Sequence, residues 1–193
     1  MPDRLIDDWH CYRAPLRNRC FWAMTVYRFG RWSMRLRGRP LRWILGKIYG
    51  VANLFVEILT GIHMDRNIEI GRGFKLLHPG VIHIHTRAVI GDDVIVSHNV
   101  TIGTVASGGT PIIGNNVFIS TGAIIVGDVR VGDGSRIGPN TVVMKDVPPN
   151  SFALGVPARI MPNLGVTRRY EDGEVSRTSG RKSDPAVPPT PYG

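Results

Sequence analysis

Ile113, Ile119, Ile125, Val131, Ile137 and Val143 recur at intervals of six residues, and three of them open an aliphatic-Gly pair: Ile113-Gly114, Val131-Gly132 and Ile137-Gly138. An α-helix needs apolar residues three and four apart, and a single strand alternates in twos. A strict hexad fits neither. It fits a left-handed parallel β-helix, in which three hexads make one triangular coil and the aliphatic side chains stack inside. Glycine beside the aliphatic residue suits a corner where a Cβ would crowd the neighbouring coil. Two earlier runs keep the same step: Ile84, Ile90, Val96 and Ile102, and before them Ile70, Leu76 and Ile82. The fold class expected is mainly β, a β-helix of hexapeptide repeats preceded by a short helical segment.

The breaks between the runs are informative. From Ile102 to Ile113 the interval is eleven, and the chain between them includes GTVASGGTP, so residues 103–111 are expected to leave the coil as a loop. Between Ile82 and Ile84 the phase slips by two, just after His78-Pro79-Gly80. A slip in a strict repeat disturbs packing, and such departures concentrate where function requires them. That singles out His78.

Residues 1–62 read as helical. Trp22, Val26 and Phe29, then Trp43, Ile44, Ile48, Val51, Leu54, Phe55 and Ile58, recur near helical spacing, with Arg39-Pro40 as the break and Gly61 as the stop. The same segment carries most of the charge. Residues 1–50 hold eleven Lys and Arg against three acids, a surplus of eight in a chain whose net charge is +9. Such a surplus suits a solvated face or an anionic partner, here a peripheral contact with the membrane. No zinc-finger spacing or aromatic-basic strand accompanies it, so nucleic acid is not expected. The apolar run Ile48–Val56 meets Glu57 after nine residues, against about twenty for a spanning helix, so the reading expects no membrane crossing. Cys11 and Cys20 follow Asp3, Asp7 and Asp8 rather than an apolar leader, which suggests a reduced, cytoplasmic protein, with the inner face of the membrane as a place of contact. The domains expected are 1–62, a basic helical segment; 63–163, the β-helix with its loop; and 164–193, a disordered tail poor in aliphatics and rich in Arg, Ser and Pro.

Five of the six histidines lie between positions 63 and 98. His83 and His85, two apart on a strand, share a face, but no cysteine or carboxylate pair with ligand spacing stands near them, so no metal is expected. Alternation turns both outward, toward a subunit interface. His98, near a corner in Ser97-His98-Asn99, is a rival to His78 as a base.

The stretch IGRGFKLLHPGVIHIHTRAVIGDDVIVSHNVTIG, the loop, and then GGTPIIGNNVFISTGAIIVGDVRVGDGSRIGPNTVVMKDVPPNSFALGVPARI together resemble the serine acetyltransferase family of hexapeptide-repeat acyltransferases. The resemblance covers residues 70–160, and the shorter N-terminal helices are similar to those of relatives that acetylate sugars in exopolysaccharide synthesis. It implies acetyl-CoA as co-substrate and direct transfer of acetyl to an acceptor hydroxyl, with His78 as general base. It also implies a homotrimer, open to stacking of two trimers, with the pocket between adjacent β-helices. The family supports its base with an aspartate on the preceding coil; the matching position is His63, with Asp65 two residues on. For acetyl-CoA the matching positions are Thr104, Thr121, Gly122, Arg136 and Pro139, with Arg159 of GVPAR and Lys145 as partners for phosphate. Two handles for an amino-acid acceptor are replaced: the carboxylate before the base is Leu77, and the loop's arginine-histidine pair is Gly109-Thr110. The main expectation is therefore a sugar or polysaccharide hydroxyl as acceptor. The alternatives are serine O-acetyltransferase of cysteine biosynthesis and a non-catalytic trimeric hexapeptide-repeat binding protein. The Pro-Tyr-Gly ending lacks the isoleucine by which family members enter cysteine synthase, so no such complex is expected.

Overall fold

The structure, a computed structural model, describes residues 12, 17–106 and 108–162, and the backbone of residues 168–171 and 174–177. Its centre is a triangular prism of five coils. One face is β1 (Ile62–Met64), β4 (Ile82–Ile84), β7 (Val100–Gly103), β10 (Ile124–Val126) and β13 (Val142–Val143). The second is β2 (Glu69–Ile70), β5 (Val89–Ile90), β8 (Ile112–Ile113) and β11 (Arg130–Val131). The third is β3 (Lys75–Leu76), β6 (Ile95–Val96), β9 (Phe118–Ile119), β12 (Arg136–Ile137) and β14 (Ser151–Leu154). Consecutive strands fall on different faces and pair in parallel only with the coil above or below. This is the left-handed β-helix that the hexads predict.

Each hexad residue belongs to an inward column. Met64, Ile84, Ile102, Ile125 and Val143 stack in register on the first face. Leu76, Val96, Ile119, Ile137 and Ala153 do so on the third. Ile70, Ile90, Ile113 and Val131 fill the second, and all of these side chains are buried. Between the columns the chain must turn within van der Waals reach of the next coil. A Cβ on Gly91 would lie 2.7 Å from the carbonyl carbon of Gly114, which is backbone held in its own ladder. That explains the aliphatic-Gly pairs. Gly91→Ala is expected to cost about 1–3 kcal/mol through overpacking, read as a lower urea midpoint with unchanged slope; a wild-type midpoint would show that the coils part without strain. At the same edge Asp92, Asn115 and Asp133 accept hydrogen bonds from the backbone N–H of Arg72, Asp92 and Asn115 at 2.6, 2.8 and 2.7 Å.

Coil length varies where the sequence breaks its step. Ile62 pairs with Ile82, twenty residues on, whereas Ile82 pairs with Val100, eighteen on. The two additional residues belong to the corner 77–81, which holds His78. Ile90 pairs with Ile113, twenty-three on, so the loop after Gly103 adds five residues and closes on itself through a bridge between Val105 and Gly108. Pro148-Pro149 is not an exit. Ile125 pairs with Val143 eighteen on, but Val131 pairs with Val147 and Ile137 with Ala153, each sixteen on, so the turn 144–146 is shortened while the prolines occupy a full hexad and the coil continues into β14. Antiparallel β15 (Arg159–Pro162) then ends the prism.

Two helices precede the coils. α1 (Arg19–Met34) starts with the Asn18 side chain accepting from the N–H of Cys20, 2.9 Å. It seals the open edge of the first coil. Tyr27 donates its hydroxyl to the carbonyl of Ile68 at 2.7 Å, and buried Arg28 donates to the carbonyls of Ile70 and Gly71 at 3.2 and 2.8 Å. These strand carbonyls have no coil beneath them, so the helix supplies the donors they need. The Trp22-Val26-Phe29 stripe has the right period but faces away from the core; Cys20, Met24 and Tyr27 face inward. Burial pushes the Cys20 thiol up to about 11, which keeps it protonated as a packing group. Cys11 and the first acidic residues lie outside the described residues.

α2 (Arg39–Thr60) carries Pro40 in its first turn and stops at Gly61, whose φ of 70° is left-handed, as expected. Its burial differs from expectation. Only Tyr49 and Thr60 are buried, and the apolar stripe points outward. By length and composition alone α2 is sufficient to cross a membrane, which corrects the estimate based on nine residues, because a helix tolerates the isolated Lys47 and Glu57 that interrupt the run.

Residues 164–193 form a separate unit. Within it β16 (Arg168–Glu171) and β17 (Glu174–Arg177) pair as an antiparallel hairpin, where disorder was expected; the rest of that tail lies outside the described residues.

Candidate active site

One edge of the prism, where the third face turns into the first, gathers much of the predicted chemistry. Coil by coil it carries His78-Pro79-Gly80, His98-Asn99, Thr121-Gly122 and Pro139-Asn140. Backbone bonds tie these corners together: Gly122 N–H donates to the His98 carbonyl at 3.2 Å, and Asn140 N–H to the Thr121 carbonyl at 2.9 Å. Asn99, Gly122 and Asn140 all have φ between 51° and 73°, so the corner repeats one left-handed turn. The first corner departs from that pattern, and its two additional residues carry the exposed His78 outward.

His78 meets His98 edge-on, with ring centroids 5.9 Å apart and planes at 72°. A Cβ on Gly80 would lie 2.8 Å from the Cβ of His98, so only glycine lets the longer corner settle on the coil above. The Nδ1 atom of His98 is buried without a hydrogen-bond partner among the described residues. A buried nitrogen of this kind costs free energy unless something reaches it. The two imidazoles that compete for the role of base thus form one pair.

His63 and Asp65 go elsewhere. His63 stacks on His83 at 5.1 Å, in register across β1 and β4, and its Nδ1 lies 3.0 Å from Oε1 of Glu57. Strand alternation puts it in the middle of an outward face, while His78 stands at the edge. Asp65 accepts from the backbone N–H and the side-chain amide of Asn67 at 2.7 and 2.6 Å, which caps the turn after β1. Among the described residues no hydrogen bond links either one to His78. The family resemblance matched them to a position one coil below the base but could not show that the helix stop would bring Glu57 to His63. His83 is outward, as alternation predicts; burial first, then the charges of His63 and His85, lower its pKa. Among the described residues no group of three His, Cys, Asp or Glu side chains is placed to hold a metal ion.

The remaining candidates divide. Arg136 lies on the third face beside the shared edge, with its guanidinium 5.8 Å from the ring centre of Phe118. Arg159 pairs with Leu154 where β15 closes the prism, so an exposed cation lies at the far end of the edge that begins at His78. Exposed Lys145 lies in the turn after β13. Thr104 is on a different edge, at the start of the loop, where its hydroxyl donates to the neighbouring Val105 carbonyl at 3.2 Å. Gly109 lies against the Asp128 backbone, and the Thr110 hydroxyl donates to the Arg87 carbonyl at 3.2 Å, so this end of the loop is pinned to the coils.

Residues 110–145 match the family model described as bacterial transferase hexapeptide, six repeats. The serine acetyltransferase of Helicobacter pylori is 38% identical over 124 residues, 58% of this chain and 70% of that one. That of Escherichia coli K12 is 38% identical over 144 residues, 73% of this chain and 50% of the other. A solved serine acetyltransferase of Brucella abortus, in complex with coenzyme A, superimposes with a TM-score of 0.73 at 25% identity, covering 83% of this chain and 67% of that one. The chain spans about half the length of several curated relatives that it matches, those of Mycobacterium tuberculosis and E. coli among them. With 38% identity over 70% of the Helicobacter pylori enzyme and a matching hexapeptide model, the chain belongs to the serine acetyltransferase family of hexapeptide-repeat transferases.

Proposed function

We propose that this chain is an acetyl-CoA-dependent O-acetyltransferase with His78 as its general base. The observation that carries the reading is the longer corner, which lifts an exposed imidazole out of the stacked edge that also bears Thr121, Gly122 and Pro139. The neutral ring takes the proton of an acceptor hydroxyl as its oxygen bonds to the thioester carbonyl carbon. A backbone N–H at a corner supports the oxyanion, the C–S bond breaks, and the imidazolium returns its proton to the departing thiolate. Holding both substrates together provides much of the rate. In this reading Thr104, Thr121, Gly122, Arg136 and Pro139 contact the carrier, Arg159 and Lys145 meet its phosphates, and the enzyme works as a cytoplasmic homotrimer. His63 and Asp65, engaged with Glu57 and Asn67, shape the surroundings of the base.

Serine is the acceptor that the named relatives favour, which reverses the preference drawn from the sequence. One observation supports a second reading, a neutral sugar hydroxyl. Leu77 precedes the base, and Gly109-Thr110 in the loop are uncharged, so the ammonium and carboxylate of an amino acid lack the family's partners there. Thiol release from acetyl-CoA, followed with serine, homoserine, hexoses and lipid-linked sugars side by side, separates the two. Release with serine alone is the expected result. Release with sugars alone assigns the second reading, and release with no alcohol would leave a non-catalytic hexapeptide protein.

A further inference from the structure

We infer that α2 docks along its length on an anionic lipid surface, as an in-plane helix that does not cross the bilayer. The inference is independent of the acetyl-transfer reading. Ile44, Ile48, Val51, Phe55 and Ile58 follow one another four, three, four and three apart, which is one helix face, and each is between 49% and 73% exposed. A water-facing helix surface is ordinarily polar; here the polarity is reversed. The inner side is held by the protein. The Tyr49 hydroxyl accepts from the Arg66 N–H at 3.0 Å, and a Cβ on Gly30 of α1 would strike the Tyr49 ring at 2.5 Å, so the two helices are in close contact. At the other end the Thr60 carbonyl accepts from the Gly80 N–H at 2.9 Å, which fastens the helix to the first coil. A helix tied down at its middle and its end cannot be threaded through a bilayer, but it can offer its free side to one.

Charge complementarity names the occupant. From Arg31 to Val56 the chain contains no acidic residue, and Arg35, Arg37, Arg39, Arg42 and Lys47 are all exposed. Arg39, Arg42, Lys47 and Arg66 line an open cleft of about 740 Å³ at the N-terminal half of α2, directly beside the apolar face. Trp43, 67% exposed, carries the Lys47 ammonium 5.8 Å from its ring centre. Basic groups for lipid phosphates, an indole at headgroup depth and aliphatic side chains below form the layered chemistry of an interfacial helix. A second copy of this chain fits less well, because it would bring two such cationic clusters together without an acid to offset them.

The test uses the full chain with phosphatidylcholine vesicles, with and without phosphatidylglycerol, at low and high salt. The expected result is sedimentation with the anionic vesicles, weakened by salt, and a blue shift of Trp emission that is lost in Trp43→Phe. The double variant Ile48→Gln, Phe55→Gln should bind at least ~10-fold less, since two buried side chains are removed from the lipid, with unchanged melting temperature and oligomeric mass. Arg42→Gln, Lys47→Gln should lose the preference for anionic vesicles. Absence of vesicle binding by the wild type, or undiminished binding by the apolar variant, overturns the inference. A fall in oligomeric mass on the apolar substitutions also overturns it, by making the face a subunit contact.

Discussion

Replacing His78 by alanine is expected to lower the rate of acetyl transfer by about 10²- to 10⁴-fold, the range lost when a positioned general base is removed. The fold should tolerate the change. His78 is exposed, its described contact is the edge-on approach of His98, and substitutions at such positions ordinarily alter stability by no more than about 0.5 kcal/mol. The check pairs free-thiol release from acetyl-CoA with a melting curve and a mass measurement on the same preparation. Retained transfer would hand the role to His98, whose unpartnered Nδ1 makes it the next candidate. Loss of the assembled mass would instead make His78 a structural residue.

Ile102→Ala should destabilise the protein by about 2–5 kcal/mol. Ile102 is fully buried and stands third of five in its column, in register with Ile84 below and Ile125 above. Its carbonyl accepts from the His85 N–H at 2.8 Å. Strand spacing is set by hydrogen bonds on both sides, so the coils cannot close over the lost atoms and a void remains. Ile124→Ala is the internal comparison, because Ile124 is 37% exposed on the neighbouring strand and faces outward; about 0.5 kcal/mol or less is expected. Chemical denaturation of both variants decides the matter. Equal losses would mean that stability in this prism does not reside in its inward columns.

These two positions also show how far the sequence could be read. Periodicity showed which aliphatic residues point inward, because a six-residue step returns the same position to the inside of each face, and Ile102 and its column stand where the hexads place them. The corner after Leu76 was legible as a slip, since its two additional residues disturb a strict pattern. The continuation of the coil through Pro148-Pro149 was not, because proline reads as a terminator whether a chain leaves a coil or only turns a corner. Helical spacing likewise revealed stripes without revealing what they face. The Trp22-Val26-Phe29 stripe turned outward because Tyr27 and Arg28 are needed to satisfy open strand carbonyls, a tertiary demand invisible at the level of propensity. The outward stripe of α2 has the same period as a buried one. At the site, the slip in the repeat pointed to His78 and the family resemblance to the corner residues, but neither could reveal the Glu57-His63 pairing, which depends on how the helix joins the first strand.

Because the edge beginning at His78 is built by stacking, it works as a measuring rod. Each coil advances about 4.8 Å along the prism, so the step from the first coil to the fifth spans about 19 Å. An extended carrier that lies along the edge must match that reach to place its reactive end at the histidine and its charged end near β15. Excising one whole coil of three hexads would keep every inward column continuous while shortening the rod by one graduation, and so would change which carriers fit without changing how the protein folds.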